Sequence, residues 1–368
     1  MDADVIVAGA GPSGSTCAAY LGKMGYRVLL LDKDSFPRDK ACGDGIGLYA
    51  VEIFRELGLM EQLRSYKRIR GFLISSPKGT TVRIPLAETL TGYTCPREAF
   101  DNMLFSHARK FVDTKERFLV TGADFNPPAV TGKDLASGQT RRLTCHVLVA
   151  ADGATSVIAR KLDTSRVDEA HHAVALRAYY ENVRGLTDDI ELHFLSEAMP
   201  GYFWIFPLST TKANVGIGMV TKYAIKNKVR LQDLMLATIR DNPLFAKRFA
   251  NARLVSPIKG WNLPLASKRR KCYYENVLLV GDAAALVDPL TGEGIGEAML
   301  SGKLAAQAID EAFKKNDFSE NTLKMYDSLI HKHLGNTYRK HYLAQQFFRH
   351  RTVFNAAVDI SSVKYKTG

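Results

Sequence analysis

The chain has 368 residues, 46% of them hydrophobic, and carries 50 Lys and Arg against 38 Asp and Glu, a formal net charge of +12. That length suggests about two folding units, the 28 aperiodic glycines argue against a collagen-like or disordered chain, and no apolar run approaches the ~18 residues of a membrane span. The basic excess suits an anionic partner or a generally basic surface, while no repeat or nucleic-acid motif stands out, so nucleic acid is not an expected partner.

In chain order, Val5-Ile6-Val7-Ala8 is a short apolar run. A glycine-rich turn follows, then a helix predicted over residues 13–24 and ended by Gly25. Val28–Leu31 is a second apolar run, closed by Asp32. This is a β-α-β unit of about 30 residues. Its turn reads Gly9-Ala10-Gly11-Pro12-Ser13-Gly14. The first glycine suits a tight turn, the second a backbone approached by pyrophosphate, and the third close helix–strand packing. The helix start offers unpaired N–H groups to phosphate. Asp32, with Lys33 beside it, is placed to accept from ribose hydroxyls, and an acid there argues against a ribose 2′-phosphate. A dinucleotide, FAD or NAD, is therefore expected.

After Pro37 a second glycine-containing loop, Cys42-Gly43-Asp44-Gly45, leads into a helix over residues 48–57. Strands with a turn at 77–79 are predicted over 71–86, a helix over 96–109 and a buried strand over 147–151, ending in Asp152-Gly153. Between residues 172 and 220 the period changes. Segments 173–182, 190–194, 202–207 and 213–220 read as successive antiparallel strands. A buried strand returns at 277–280, before Gly281-Asp282 and a helix over 294–314. The tail from residue 323 reads as helical. The expected fold class is α/β (α+β overall): a Rossmann-like, discontinuous dinucleotide domain over 1–75, 96–170 and 255–315, an inserted antiparallel sheet over 76–95 and 171–254 for substrate, and C-terminal helices over 316–368.

Gly281-Asp282-Ala283-Ala284, followed by Asp288-Pro289-Leu290-Thr291-Gly292-Glu293-Gly294-Ile295, resembles the second FAD motif of the para-hydroxybenzoate-hydroxylase-like flavoproteins. The resemblance implies that Asp282 contacts the ribityl or ribose part of FAD, that Pro289, Gly292 and Gly294 pass near the isoalloxazine ring, and that Gly281 and Ile295 also belong to the cofactor site. A helix opening after Gly294 would aim its N-terminus at an edge that becomes negative on reduction. Asp152-Gly153 and Arg97, within Pro96-Arg97-Glu98-Ala99-Phe100-Asp101, resemble further FAD-contacting elements of that superfamily. No second glycine fingerprint follows a strand, so NAD(P)H or another external electron donor is not expected to be held tightly.

Phe36-Pro37-Arg38-Asp39-Lys40-Ala41-Cys42-Gly43-Asp44-Gly45 and Gly201-Tyr202-Phe203-Trp204-Ile205-Phe206-Pro207 are similar to signatures of the geranylgeranyl reductase family. That resemblance implies reduction of isolated C=C bonds in an isoprenoid chain, of a prenylated lipid or a quinone tail, with the hydride from reduced FAD. Strand alternation puts Tyr202, Trp204 and Phe206 on one face. From spacing alone this is ordinary core; from the resemblance it floors a tunnel for substrate. Cys42 is the candidate catalytic group, a thiol that donates a proton or gates the site, its alternative being a small buried hydrophobe. Arg38 and Lys40 contact FAD phosphate or a lipid headgroup, or are solvated loop charges. Two rival readings share the FAD motifs. One is a flavin monooxygenase or halogenase, although the halogenase Trp-x-Trp-x-Ile-Pro element is met here by Tyr202, Trp204 and Phe206-Pro207. The other is an electron-transfer flavoprotein to quinone.

The tail carries Lys332, Arg339, Lys340, Arg349 and Arg351 among Tyr338, Tyr342, Leu343, Phe347, Phe348 and Phe354. It reads either as an element for an anionic membrane surface or as helices docked on the protein. Cys17, Cys42, Cys95, Cys145 and Cys272 are odd in number and widely spread, without CxxC or zinc spacing. Together with a start, Met1-Asp2-Ala3-Asp4, that lacks the basic region of a leader, they point to a reduced, cytoplasmic compartment, peripheral membrane contact at most, and no metal site. A monomer or weak oligomer is expected.

Overall fold

Short buried apolar runs need cover on both faces, and a parallel sheet flanked by helices supplies it. In the computed structural model, which describes residues 1–87, 89–162 and 167–366, these runs do form one. Residue 88, residues 163–166 and residues 367–368, which fall within the expected segments 76–95, 96–170 and 316–368, lie outside the described residues. The chain divides into two units: Met1–Asp39, Glu98–Val167 and Pro264–Lys340 form the first, and Lys40–Arg97, Asp168–Leu263 and His341–Gly368 the second.

In the first unit a six-stranded sheet runs Tyr273–Tyr274, Val277–Leu279, Val147–Ala150, Val5–Ala8, Val28–Leu31, Asp113–Lys115. All pairs are parallel except the outermost, Tyr273–Tyr274 with Val277–Leu279. The strand order reverses between Val5–Ala8 and Val147–Ala150, and ligands of such sheets bind beyond the carboxyl ends of the strands at that point. A three-stranded antiparallel sheet, Phe118–Phe125, Pro128–Asp134 and Thr140–Thr144, is a separate element that the sequence pattern did not mark. The helix Pro12–Lys23 packs along the long helix Ile295–Lys315. They come close at Gly302, where a Cβ would lie 2.2 Å from the carbonyl oxygen of Ser13.

In the second unit an eight-stranded sheet runs Arg253–Leu254, His172–Glu181, Ala213–Val220, Gly201–Pro207, Asp189–His193, Gly71–Ser75, Thr81–Pro85, with Lys259–Pro264 also paired to His172–Glu181. The strands expected to pair antiparallel do so, while Asp189–His193 pairs parallel to Gly71–Ser75. Phe203, Ile205, Val215 and Ile217 point to one face and form a core with Met235, Phe245 and Phe249 of the helical segment after residue 230. The opposite face carries the alternate residues. Its register sets large against small: Tyr202 opposes Gly218, Trp204 opposes Gly216, and Phe206 opposes Asn214. A Cβ on Gly216 would fall 2.2 Å from Trp204 Cζ2, so the indole lies over a position that has no side chain.

Part of the C-terminal tail docks on the protein and part of it is exposed. Tyr338 donates its hydroxyl hydrogen to the Leu286 carbonyl at 2.7 Å. Phe354 and Val358, from the helix Arg351–Lys366, pack with Val82 and Met199. Leu343, Phe347, Val353, Ile360 and Val363 stay exposed. Among the described residues no helix is long and apolar enough to cross a membrane.

Replacing Gly302 by Val is expected to destabilise the chain by about 1–3 kcal/mol through overpacking against Ser13, read as a lower melting temperature together with weaker retention of flavin absorbance on gel filtration.

Candidate functional site

The first unit gathers most of the residues expected to hold the dinucleotide. Gly9 takes φ 104°, and a Cβ there would stand 2.3 Å from the Ala151 carbonyl oxygen, so the turn presses against the end of the neighbouring strand at the point of reversal. Pro12, Ser13 and Gly14 open the helix Pro12–Lys23, whose N-cap Gly11 provides no side-chain cap. Its first-turn N–H groups are thus offered to a ligand rather than to a side chain. Asp32 is buried and accepts from Ala10 N at 2.7 Å and Asp34 N at 2.9 Å. Burial pushes its carboxyl up, against those two hydrogen bonds. Lys33 next to it is exposed.

Arg38 is no solvated loop charge. It is held by Asp101 at 2.7 Å and stacked 4.8 Å from the Phe36 ring centroid. Its Nη2 lies 3.8 Å from where a Gly11 Cβ would be. The turn is therefore an open cradle with a fixed cation at its rim. Asp152 accepts from Val157 N at 2.8 Å through Oδ2, while Oδ1 is buried without a partner. Gly153 follows with φ 79°.

The second motif joins the first. Gly281 N donates to Ser301 Oγ at 2.9 Å, and a Cβ on Gly281 would lie 2.8 Å from Ser13 Oγ. Asp282 Oδ1 stands 3.9 Å from the Cβ position of Gly294. Asp288 closes the loop by accepting from Leu290 N and Thr291 N, and its backbone pairs around Pro289 and Gly292 to Glu293. Ile295 begins the long helix, whose N-cap Gly294 also provides no side-chain cap. Two acids that the sequence pattern did not single out lie here. Burial and Asp288 push Glu293 up to about 7. Burial and Glu293 raise Glu297 well above its ordinary value, with Oε2 unpartnered. The open cradle, the two uncapped helix starts and the orphaned oxygens suit a dinucleotide with a ring system at the second helix, as FAD requires.

The second unit gathers the rest. Asp44 is fully buried, at φ 66°. Its Oδ2 accepts from the Tyr179 hydroxyl at 2.7 Å and Asn214 Nδ2 at 2.8 Å, and Oδ1 accepts from Arg97 N at 3.2 Å. Its own N–H faces Cys42 Sγ at 3.4 Å. Burial pushes the carboxyl up to about 6, against Asn214, Tyr179, Arg177 and Arg97. Burial likewise raises the Cys42 thiol, with Arg97 opposing, so Sγ holds its proton at neutral pH. Beneath the turn, a Cβ on Gly43 would meet Phe206 Cε2 at 3.0 Å. Trp204 lies 6.1 Å from both Tyr202 and Phe206, centroid to centroid. The thiol turn and the aromatic face are thus one structure, opposite the apolar core. Sequence reasoning missed Tyr179, Arg177 and Asn214; strand alternation alone places the first two on one face, but only the register adds Asn214. Lys40 lies 5.2 Å over the Trp261 ring, and its carbonyl accepts from Arg177.

A family profile described as FAD binding domain matches residues 2–333. Menaquinone reductase of Mycobacterium tuberculosis (strain ATCC 25618 / H37Rv) is 32% identical over 346 residues, covering 90% of this chain and 81% of its own length. The chain belongs to the geranylgeranyl reductase family of FAD-binding proteins. Digeranylgeranylglycerophospholipid reductase of Methanosarcina acetivorans is 32% identical over 336 residues, covering 87% of this chain and 78% of its own. Among solved structures, a geranylgeranyl bacteriochlorophyll reductase-like protein from Thermoplasma acidophilum superposes with a TM-score of 0.87 at 27% identity, over 98% of this chain and 91% of its own. As a member of this family the chain is an FAD-dependent oxidoreductase.

Asp44 makes stability pH-dependent. Its carboxyl titrates near 6 in the folded chain, against an ordinary value of 3.8. The ionised form is thus disfavoured by folding, and stability falls as pH rises from about 4 to 6, by about 3 kcal/mol at most. Asp44→Asn removes that loss. Its melting temperature relative to wild type is expected to be higher at pH 7.5 than at pH 4.5; an equal difference at both pH values contradicts the assignment.

Proposed function

We propose that the chain reduces isolated C=C bonds in the isoprenoid chain of a prenylated lipid or prenyl quinone. The observation that carries this reading is the Cys42 turn seated on Phe206 and tied to the aromatic face. An unconjugated alkene offers no polar handle, so it is recognised by shape and apolar area. Tyr202, Trp204 and Phe206 provide a flat aromatic floor of that kind. Bound FAD supplies the hydride. The residues of the chain exclude water, orient the alkene and hold a proton at Cys42 Sγ for the second carbon. A protonated thiol suits that task better than a thiolate, and burial keeps it protonated.

The substrate class implies a lipid surface, and the exposed part of the tail fits one. Val353, Ile360 and Val363 follow helical spacing on the side away from Phe354 and Val358, and are exposed with Leu343 and Phe347. The neighbouring helix Thr221–Lys226 is joined to this region by Arg349 Nη1 donating to the Tyr223 hydroxyl at 3.1 Å. Lys222, Lys226, Lys228 and Arg230, on or just after that helix, and Arg349 and Arg351, in the tail itself, are exposed as well. Exposed apolar side chains accompanied by cations suit an anionic bilayer.

Two experiments test the reading. Reduced holoenzyme incubated anaerobically with a geranylgeranyl-bearing phospholipid is expected to add two hydrogens per double bond by mass spectrometry. Cys42→Ala is expected to lower kcat by about 100-fold or more with its flavin spectrum unchanged; undiminished turnover at every pH removes Cys42 from proton delivery. Separately, Phe347→Glu with Ile360→Glu, both at exposed positions, is expected to abolish co-sedimentation with phosphatidylglycerol vesicles and leave flavin content intact. Retained sedimentation contradicts the membrane role of the tail.

A further inference from the structure

Asn214 has no exposed surface and uses both ends of its amide. Trp204 Nε1 donates to its Oδ1 at 3.0 Å. Its Nδ2 donates to the Cys42 carbonyl at 2.7 Å and to Asp44 Oδ2 at 2.8 Å. The orientation of the amide is chemically fixed, because an indole N–H can only donate and a backbone carbonyl can only accept. Three segments of chain therefore meet at one side chain: the aromatic strand, the Cys42 turn and the strand that bears Asn214 itself. The register makes this possible. Asn214 lies between Tyr179 on one neighbouring strand and Phe206 on the other, and the vacant position at Gly216 lets the indole lie flat with its N–H toward the amide.

We propose that Asn214 is the positioning residue that couples the aromatic face to the Cys42 turn, so that a hydrocarbon chain resting on Trp204 and the thiol that serves it are set by one amide. The proposal rests on the proposed roles of Cys42 as proton donor and of the aromatic face as substrate floor. Asn214 itself touches neither substrate nor the reacting atoms; it acts through Trp204 and Cys42. Leucine would match the shape of Asn214 but leave the Trp204 N–H, the Cys42 carbonyl and one lone pair of Asp44 without partners, and a buried group left unpaired is expensive. Aspartate would set a second carboxylate against Asp44. The charged and titratable groups around this centre are Asp44, Cys42, Tyr179, Arg97 and Arg177.

Alkylation of Cys42 in the holoenzyme tests the coupling without any substrate. The rate with N-ethylmaleimide is followed against pH, with Cys42→Ser as the blank; the other four cysteines are buried. Asn214→Ala frees the Cys42 carbonyl and removes a donor from Asp44, so the turn that holds the thiol is no longer tied to the aromatic strand. Alkylation is expected to become faster across the pH range. Trp204→Phe keeps a ring but loses the indole N–H, and is expected to move the rate in the same direction by less. In the Asn214→Ala background Trp204→Phe is expected to add nothing, because the amide that links them is gone. In turnover, Asn214→Ala is expected to lower kcat by about 100-fold, as misplacement of a reacting group does, with KM little changed.

A wild-type alkylation profile in Asn214→Ala, or effects of the two substitutions that multiply, overturns the proposal. If Asn214→Ala loses its flavin or melts early, Trp204→Phe carries the test alone, and an unchanged alkylation rate there overturns it. Failure to reduce any prenyl substrate while the alkylation cycle behaves as expected counts against the substrate reading and not against this coupling.

Discussion

A carboxylate with no exposed surface has to be met by donors, and Asp44 is where that requirement shapes the second unit. The donors come from Tyr179, Asn214 and the backbone of Arg97, which stand far apart in sequence. The Asp44 carbonyl accepts from Cys95 N as well, and its N–H turns toward Cys42 Sγ. One side chain thus closes the loop that carries the thiol, ties down the backbone at Arg97 and holds two strands in register. The left-handed backbone at Asp44, φ 66°, is strained for a residue with a side chain. Asparagine and aspartate tolerate it best, and here the side chain is also the anchor.

The aromatic strand gains its meaning from this anchor. Tyr202, Trp204 and Phe206 alternate with Phe203 and Ile205, which pack into the core. Alternation alone divides the strand into two faces and does not say which one meets a ligand. The glycine and asparagine positions on the facing strand, with Gly43 above Phe206, mark the aromatic face as a surface built to be flat and to abut the thiol turn.

The dinucleotide half was legible because few structures satisfy a buried apolar run, three spaced glycines and a distal acid at once. Val28–Leu31, the helix Leu48–Leu57 and Ala213–Val220 lie at their expected bounds. What escaped was long-range or short. The parallel pairing of Asp189–His193 with Gly71–Ser75 joins segments over a hundred residues apart, and nothing local encodes it. The helices between residues 221 and 249 are four to eleven residues long, too brief for a clear apolar period. Asn214 reads in sequence as a polar residue near a strand end, and Glu297 as an ordinary helix acid. Only the folded chain shows one at a hydrogen-bond junction and the other buried without a partner for Oε2.

A fold of this kind supports several flavin chemistries, so the site has to decide between them. In the proposed reading, a protonated thiol in a turn seated on an aromatic face serves reduction of an alkene. Anaerobic stopped-flow spectroscopy tests that choice most directly: dithionite-reduced holoenzyme, freed of excess reductant, is mixed with a geranylgeranyl phospholipid and the oxidised flavin band is followed. If the flavin reduces the alkene, the band returns without oxygen, in proportion to double bonds saturated. A band that stays bleached until oxygen is admitted, with oxygen then found in the product, contradicts alkene reduction.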